Sequence, residues 1–457
     1  MSGSHHPWLV LSLACSILAV ATSSAQAQSW LSDRKRAEGS GIRLGDFELH
    51  PGIGTELGYT SNVYNAEPGE RISSVVLRVA PHLFLSTLGG ERSGQDEGFK
   101  PGIIAFRGGL QASLFQYFAE GTPDTDVSTD VNLLLTLAPE RPVSFTVTEV
   151  FNRSVRPFSD PVNEPGPGNT VVPVNAVKAA PTVSFARYTE TIGAKLDART
   201  DGGLLTGGLG YRLSYGWFED EAFVQNNNLV HSVNLTGAWE FLPKSALFYD
   251  ATFAHQTYTN REQSEGDPLR SPLVDNDQVT TRIGFNGAIT SRISATIAAG
   301  YAVGFFGGND FEGFTANVEG RWVPSPVSEL GLGYERAFSS AFEGNFVLRN
   351  QIYTRLRYFF GGAFVVGTKL AVEFLSFGPD PRGNQGPRRD TRYSADVNGE
   401  YRFIDWLAAT AQFTALIDTT EYVFESRVDV PGGGTQTLVD PAKFNTFEAW
   451  LGLRAFF

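Results

Sequence analysis

Residues 446–457 read Thr446-Phe447-Glu448-Ala449-Trp450-Leu451-Gly452-Leu453-Arg454-Ala455-Phe456-Phe457. Phe447, Ala449, Leu451, Leu453, Ala455 and Phe457 fall on one parity, while Thr446, Glu448, Gly452 and Arg454 fall on the other. In a strand, alternate residues point to opposite faces of the sheet, so this stretch has one greasy and one wet side. Helical spacing would scatter the same residues around a cylinder.

The pattern recurs upstream. Tyr393, Ala395, Val397, Gly399, Tyr401 and Phe403 oppose Arg392, Ser394, Asp396, Asn398, Glu400 and Arg402. Leu348, Ile352, Leu356 and Tyr358 oppose Arg349, Gln351, Arg355 and Arg357, and Val279, Ile283, Phe285 and Ile289 oppose Gln278, Thr280, Arg282 and Asn286. A soluble sheet with one wet face also alternates, but its strands average about 5–6 residues. Most segments here run twice that length or more, as a tilted bilayer-crossing strand requires. Aromatics cluster near segment ends, at Tyr59 and Tyr64, Tyr215 and Trp217, Trp239 and Phe241, and Phe403 and Trp406, as interfacial girdles do.

Eighteen segments follow, near 47–61, 72–87, 102–117, 127–137, 143–153, 183–199, 204–219, 229–241, 246–258, 277–289, 293–306, 312–323, 329–341, 345–359, 363–377, 391–404, 408–423 and 444–457. Short links alternate with long ones, as periplasmic turns and external loops do; 89–101 is a long link on the short-turn side. The expectation is an all-β, transmembrane, antiparallel up-and-down barrel of 18 strands, or 16 if one hairpin is mispaired. A closed barrel pairs every backbone amide within hydrocarbon.

The chain is exported on this reading. Its first 27 residues hold no Asp, Glu, Lys or Arg, and the apolar run Trp8–Ala21 is followed by Ala25-Gln26-Ala27, the small-x-small pattern of a cleaved signal peptide. Ser12-Leu13-Ala14 before Cys15 is a poor lipidation site. Residues 1–27 are thus a signal peptide, 28–46 a short periplasmic segment, and 47–457 the barrel in the outer membrane of a Gram-negative cell. Cys15 is the single cysteine among 457 residues, so the mature chain has no disulfide and no thiolate metal site.

Composition agrees. The chain is 42% hydrophobic, 12% aromatic and 19% charged, with a net charge of −13, which argues against disorder and against a nucleic-acid partner. No metal-binding, phosphate-cradling or Ser/His spacing stands out, and the four His after residue 27 (His50, His82, His231, His255) form no catalytic constellation. No enzyme activity, cofactor or metal is expected. A plug-gated receptor needs about 22 strands, and residues 28–46 are too few for a plug.

Parity turns Arg282, Arg321, Arg349, Arg355, Arg357, Arg392, Asp396, Glu400, Arg402, Glu448 and Arg454 toward the interior as pore-lining residues. Arg78, Arg107, Arg212, Glu56, Asp130, Asp250, Glu319, Glu335 and Glu373 join them. Two readings are open: a charged wall that sets a field across a wet lumen, or ion pairs that brace a wide barrel. Glu190 falls on the lipid side, an anomaly of register or of strand setting. Surplus acid falls in expected external loops, including Asp124, Asp126, Asp160, Glu164, Glu219–Glu221, Glu262, Glu265, Asp267, Asp275, Asp277, Asp380 and Asp390. The Pro-rich link 154–182 either folds into the pore or stays outside.

Two resemblances extend this reading. Phe447, Leu451, Leu453 and Phe457, ending on an aromatic, resemble the insertion signal that the barrel-assembly machinery reads. Gly58-Tyr59-Thr60-Ser61-Asn62-Val63-Tyr64, Ile72-Ser73-Ser74 and Val79-Ala80-Pro81 resemble the opening of a family of outer-membrane β-barrel porins associated with exopolysaccharide production. That resemblance implies a conduit for an exported polysaccharide, working with a periplasmic polysaccharide export protein. The inward aromatics Tyr117, Phe218, Tyr353 and Trp450 would then let a sugar chain slide. The alternatives are a passive porin for small hydrophilic solutes and a structural or adhesive barrel with a blocked lumen. Membrane lipid and lipopolysaccharide are the expected surroundings in every case.

Overall fold

The computed structural model describes residues 41–87, 103–139, 141–155, 170–171, 186–221, 223–260, 273–307, 310–341, 345–378, 387–429 and 435–457. Residues 1–27, with their expected cleavage site, lie outside these, as do 88–102 and most of the Pro-rich link.

A short β1 (Ile42–Leu44) turns back onto the first wall strand, β2 (Phe47–Thr60). The wall continues through β3 (Ser74–Thr87), β4 (Ile104–Tyr117), β5 (Thr125–Leu137) and β6 (Val143–Ser154). After the two-residue β7 (Thr170–Val171) come β8 (Arg187–Arg199), β9 (Leu205–Phe218), β10 (Asn228–Leu242), β11 (Ser245–Tyr258) and β12 (Asn276–Ala288). Then follow β13 (Ile293–Phe305), β14 (Phe311–Ser325), β15 (Ser328–Ala341), β16 (Phe346–Phe360), β17 (Phe364–Phe377), β18 (Arg389–Ile404) and β19 (Leu407–Thr419). A rim hairpin, β20 (Val423–Asp429) with β21 (Thr435–Pro441), precedes the last wall strand, β22 (Phe444–Phe456).

Each wall strand pairs antiparallel with the next, and β22 returns to pair with β2 from Gly52↔Phe456 to Thr60↔Glu448. The result is a closed barrel of eighteen strands, each 12 to 16 residues long. Closure leaves no edge exposed to lipid.

The outward parity carries the apolar belt. Leu451 is 69% exposed, Ile283 63% and Leu332 62%; surface of this kind over a whole barrel is stable only against hydrocarbon. Tyr59, Tyr215, Trp239, Phe403 and Trp406 stand exposed near the strand ends. No helix among the described residues is long and apolar enough to cross a membrane; the strands cross it, as those of an outer-membrane barrel do.

One end has tight turns. β10–β11, β14–β15 and β18–β19 are joined by two residues each, beside a register shift at each hairpin. Gly361 and Gly362, at φ 56° and 78°, form the β16–β17 turn, a conformation that costs glycine no steric strain.

The end opposite the tight turns departs from a simple cylinder. β14 and β15 pair only up to Ala316↔Arg336, and Arg336 Nε donates to Phe314 O at 2.9 Å just beyond. Above that point the β15–β16 tip leans inside the wall. Phe338, on the outward parity of β15, stacks on inward Phe311 of β14 with ring centroids 4.2 Å apart. Gln278, inward on β12, donates to Ser340, outward on β15. Phe306 and Phe346 complete this cluster. Along the freed edge of β15, Thr170–Val171 pair in parallel with Ser340–Ala341. Those two residues belong to the β6–β8 link, whose own strands stand far around the ring.

Candidate functional site: the inner wall

The eleven residues expected to line the pore all stand on inward-facing positions of their strands, but the register groups them in a way that parity alone does not reveal. An alternating ladder crosses five strands near the end opposite the tight turns. Glu335 (β15) accepts from Arg349 (β16) at 2.9 Å, and Arg349 reaches Glu373 (β17) at 3.2 Å. Glu373 lies 3.8 Å from Arg392 (β18), which donates to Asp418 (β19) at 2.8 Å. Gln351 adds a 2.7 Å bond to Glu373. The ladder is covered: Asp418 is 1% exposed and Arg349, Glu373 and Arg392 are buried.

Nearer the other end the grouping changes. Arg355 and Tyr353 both donate to Glu319, and Arg321 makes a two-pronged pair with Glu329 at 2.7 and 2.8 Å. Arg282 meets Asp250 at 3.0 Å. Glu400 lies between Arg454, 3.3 Å away, and Arg402, 3.8 Å away, while the Arg402 guanidinium covers the Phe456 ring. Asp396 takes bonds from Asn398, Gln412 and Thr414 at 3.0, 2.9 and 3.2 Å. Glu448 accepts from Trp450 Nε1 at 3.0 Å. Arg357 stands opposite Glu329 in the β15–β16 register, with its guanidinium over Phe359. Arg349, Arg355 and Arg357 share one face of β16, yet each has different partners.

The inward aromatics lie flat against the wall. Trp450 rests where a Cβ on Gly58 would collide with its ring, with Arg78 stacked 4.6 Å above it. Arg78 also pairs with Glu56. Trp450 is 3% exposed and packs with Val76, Phe115, Val155 and Ala186, the last two from the bases of the β6–β8 link. Tyr353 occupies a similar bay over Gly333. Tyr353 and Phe218 are also buried, leaving Tyr117 half-buried.

Several positions depart from expectation. Asp126, Asp277 and Asp390 belong to wall strands rather than loops: a strand continues while its amides find partners, whatever the charge at its rim. Asp390 is buried against Arg388, and Asp277 faces outward, 2.7 Å from His255. His231 likewise faces outward and meets Tyr211 Oη at 2.7 Å. Asp160, Glu164, Glu262, Glu265, Asp267 and Asp380 lie outside the described residues. Glu190 keeps lipid parity, paired in unbroken register with Phe151 and Tyr215. Glu149, opposite Leu133 and Ile192, joins it on that face. Phe447, Leu451, Leu453 and Phe457 face outward.

Among the described residues no group of His, Cys, Asp and Glu is arranged to hold a metal.

No protein-family model matches the chain, and no curated protein is similar to it. Among solved structures it is similar to the outer membrane protein OpdK of Pseudomonas aeruginosa at 10% identity and a TM-score of 0.42, over 90% of this chain and 99% of OpdK. OccAB4 of Acinetobacter baumannii gives 9% and 0.44, over 92% and 99%. The ferric enterobactin receptor PfeA of Pseudomonas aeruginosa gives 11% and 0.41, over 90% and 81%.

Proposed function

We propose that this barrel is an outer-membrane channel for small hydrophilic solutes. The observation that carries the reading is the contrast in cover along the inner wall. Arg107, Arg212, Arg355, Arg357, Lys369 and Asn398 are exposed although they face inward, which favours a bore lined by polar groups and open to water. The external third is narrowed by the leaning β15–β16 tip and by the buried ladder from Glu335 to Asp418. A wet bore with a restricted outer mouth suits small solutes better than a polymer. The inward aromatics point the same way: Trp450, Tyr353 and Phe218 are sealed against the wall and offer a sugar chain no sliding surface.

The polysaccharide reading rests on the motif in residues 58–81. Asn62 of that motif has a structural task, because its side chain bonds Ala66 N and O at 2.9 and 2.7 Å and Asn445 O at 3.0 Å. It clamps the first external link to the last wall strand.

Liposome swelling with the purified protein tests the proposal. Swelling with monosaccharides that fails with longer oligosaccharides is the expected result. No swelling with any solute, together with lost surface polysaccharide on gene deletion, would move the assignment to export.

A further inference from the structure

We propose that the β15–β16 tip is a two-position gate over the mouth opposite the tight turns. In the structure the tip lies folded inside the wall; in its second position the edge of β15 rejoins β14 and the mouth widens. The proposal rests on the channel reading above and adds its regulation.

Both strands carry the residues of the second position. β14 and β15 stop pairing at Ala316↔Arg336. The same register carried onward gives Thr315↔Ala337, Phe314↔Phe338, Gly313↔Ser339, Glu312↔Ser340 and Phe311↔Ala341. It sets Phe338 beside Phe314 on the lipid face and turns Ala337, Ser339 and Ala341 toward the bore. β15 beyond Arg336 therefore alternates as a wall strand does, and zipping it to β14 pairs amides that are costly to leave open in hydrocarbon. The inward side chains there are small, so the mouth would be wide.

The folded position is built as well. Ala302 and Gly304 of β13 and Gly313 of β14 leave the inner wall nearly bare beside the tip, and a Cβ on Gly304 would come within 2.6 Å of the Phe338 ring. Phe338 stacks on Phe311 there, with Phe306, Phe346 and Leu348 around them. Ser340 reaches Gln278 on β12, two strands past the partner it would have in the wall. Thr170–Val171 take the edge of β15 that β14 would otherwise hold, and Arg336 Nε donates to Phe314 O across the split. β16 stays paired with β17 as far as Val347↔Phe377, so the sheet edge flexes and no hairpin detaches. Ser340 would travel two strand spacings, about 10 Å. Backbone pairing favours one position and burial of aromatic rings the other, which is the condition for two populated states.

Disulfide trapping in the mature protein tests the proposal, since the only native cysteine is Cys15. Gln278→Cys with Ser340→Cys should lock the folded position under a mild oxidant, and Glu312→Cys with Ser340→Cys the wall position; gel mobility reads both. In a planar bilayer the first lock should hold a low, steady conductance that rises several-fold on reduction, and the second should hold the high level. Gly304→Val, which fills the seat of the Phe338 ring, should raise the yield of the 312–340 cross-link several-fold. Failure of either cross-link leaves the tip a single position and overturns the proposal, whatever the conductance. Two cross-links with equal conductance show a moving tip that gates nothing, which also overturns it. Absence of conductance in every form, reduced wild type included, overturns the channel reading instead, and the gate falls with it.

Discussion

His50 and Phe457 hold each other across the seam that closes the barrel. His50 Nδ1 lies 3.2 Å from the main-chain oxygen of Phe457, so the imidazole proton sits on Nδ1 and is donated to that oxygen. Phe457 N in turn donates to Pro51 O at 3.0 Å. His50 is 2% exposed, and Glu48 stands 3.6 Å from its other ring nitrogen. The first wall strand thereby fixes the end of the last one. His50→Ala should cost about 1–3 kcal/mol, since it removes that bond together with the packing of a buried ring. A lowered temperature for the shift from folded to unfolded mobility on a denaturing gel would register the loss.

At the opposite end of the same seam, Asn62 makes three hydrogen bonds to main-chain groups, one of them 383 positions away. Asn62→Ala leaves those groups unpaired and should cost about 2–3 kcal/mol. Thermal unfolding in detergent measures it. Asn62→Asp, which keeps the acceptor and loses both donors, should recover only part of that loss.

Glu149 stands at mid-strand on the lipid-facing parity of β6, with no ion pair or hydrogen bond. Glu149→Leu replaces a carboxylate in the belt by an apolar side chain and should stabilise the barrel by ~1–2 kcal/mol. Urea titration of protein folded in liposomes is the measurement; a destabilised variant would show that a partner, rather than lipid, covers this face.

Glu219, in the link after β9, receives two hydrogen bonds from Arg153 at 2.8 and 2.9 Å. These hold its carboxyl below the ordinary range, partly opposed by burial. A carboxyl with a lowered folded value contributes stability above its unfolded value, about 4.3, and loses it as pH falls through the folded value. Protection of the 219–221 amides, taken relative to their intrinsic exchange rate at each pH, should therefore fall below about pH 4. In Glu219→Gln that acid-induced step should be absent.

Strand order and number were legible in the sequence because each wall residue meets either lipid or water, and a slip of one residue would invert every side chain. The β15–β16 tip was not legible. Phe338 follows the same parity as Leu330 and Leu332, but it packs on Phe311 instead of lipid; both surroundings are apolar, so the pattern is unchanged. Inward charges were legible as inward, but not as pairs. Arg349 joins Glu335 and Glu373 because three strands bring them level, information that lies in the register. The β20–β21 hairpin and the contact of Thr170–Val171 with β15 depend on loop packing, which imposes no period on the chain.

The folded-over tip has a practical consequence for chemical mapping. Thiol labelling of barrels assigns accessibility by counting odd and even positions, and this chain suits the method because its only cysteine is Cys15. On β15, that count fails above Arg336: a cysteine at 338 or 340 would be shielded from a lipid-soluble reagent despite its odd-even place. The labelling pattern there would read as a phase error, although the backbone register with β16 runs unbroken from Ser328↔Tyr358 to Ser340↔Phe346.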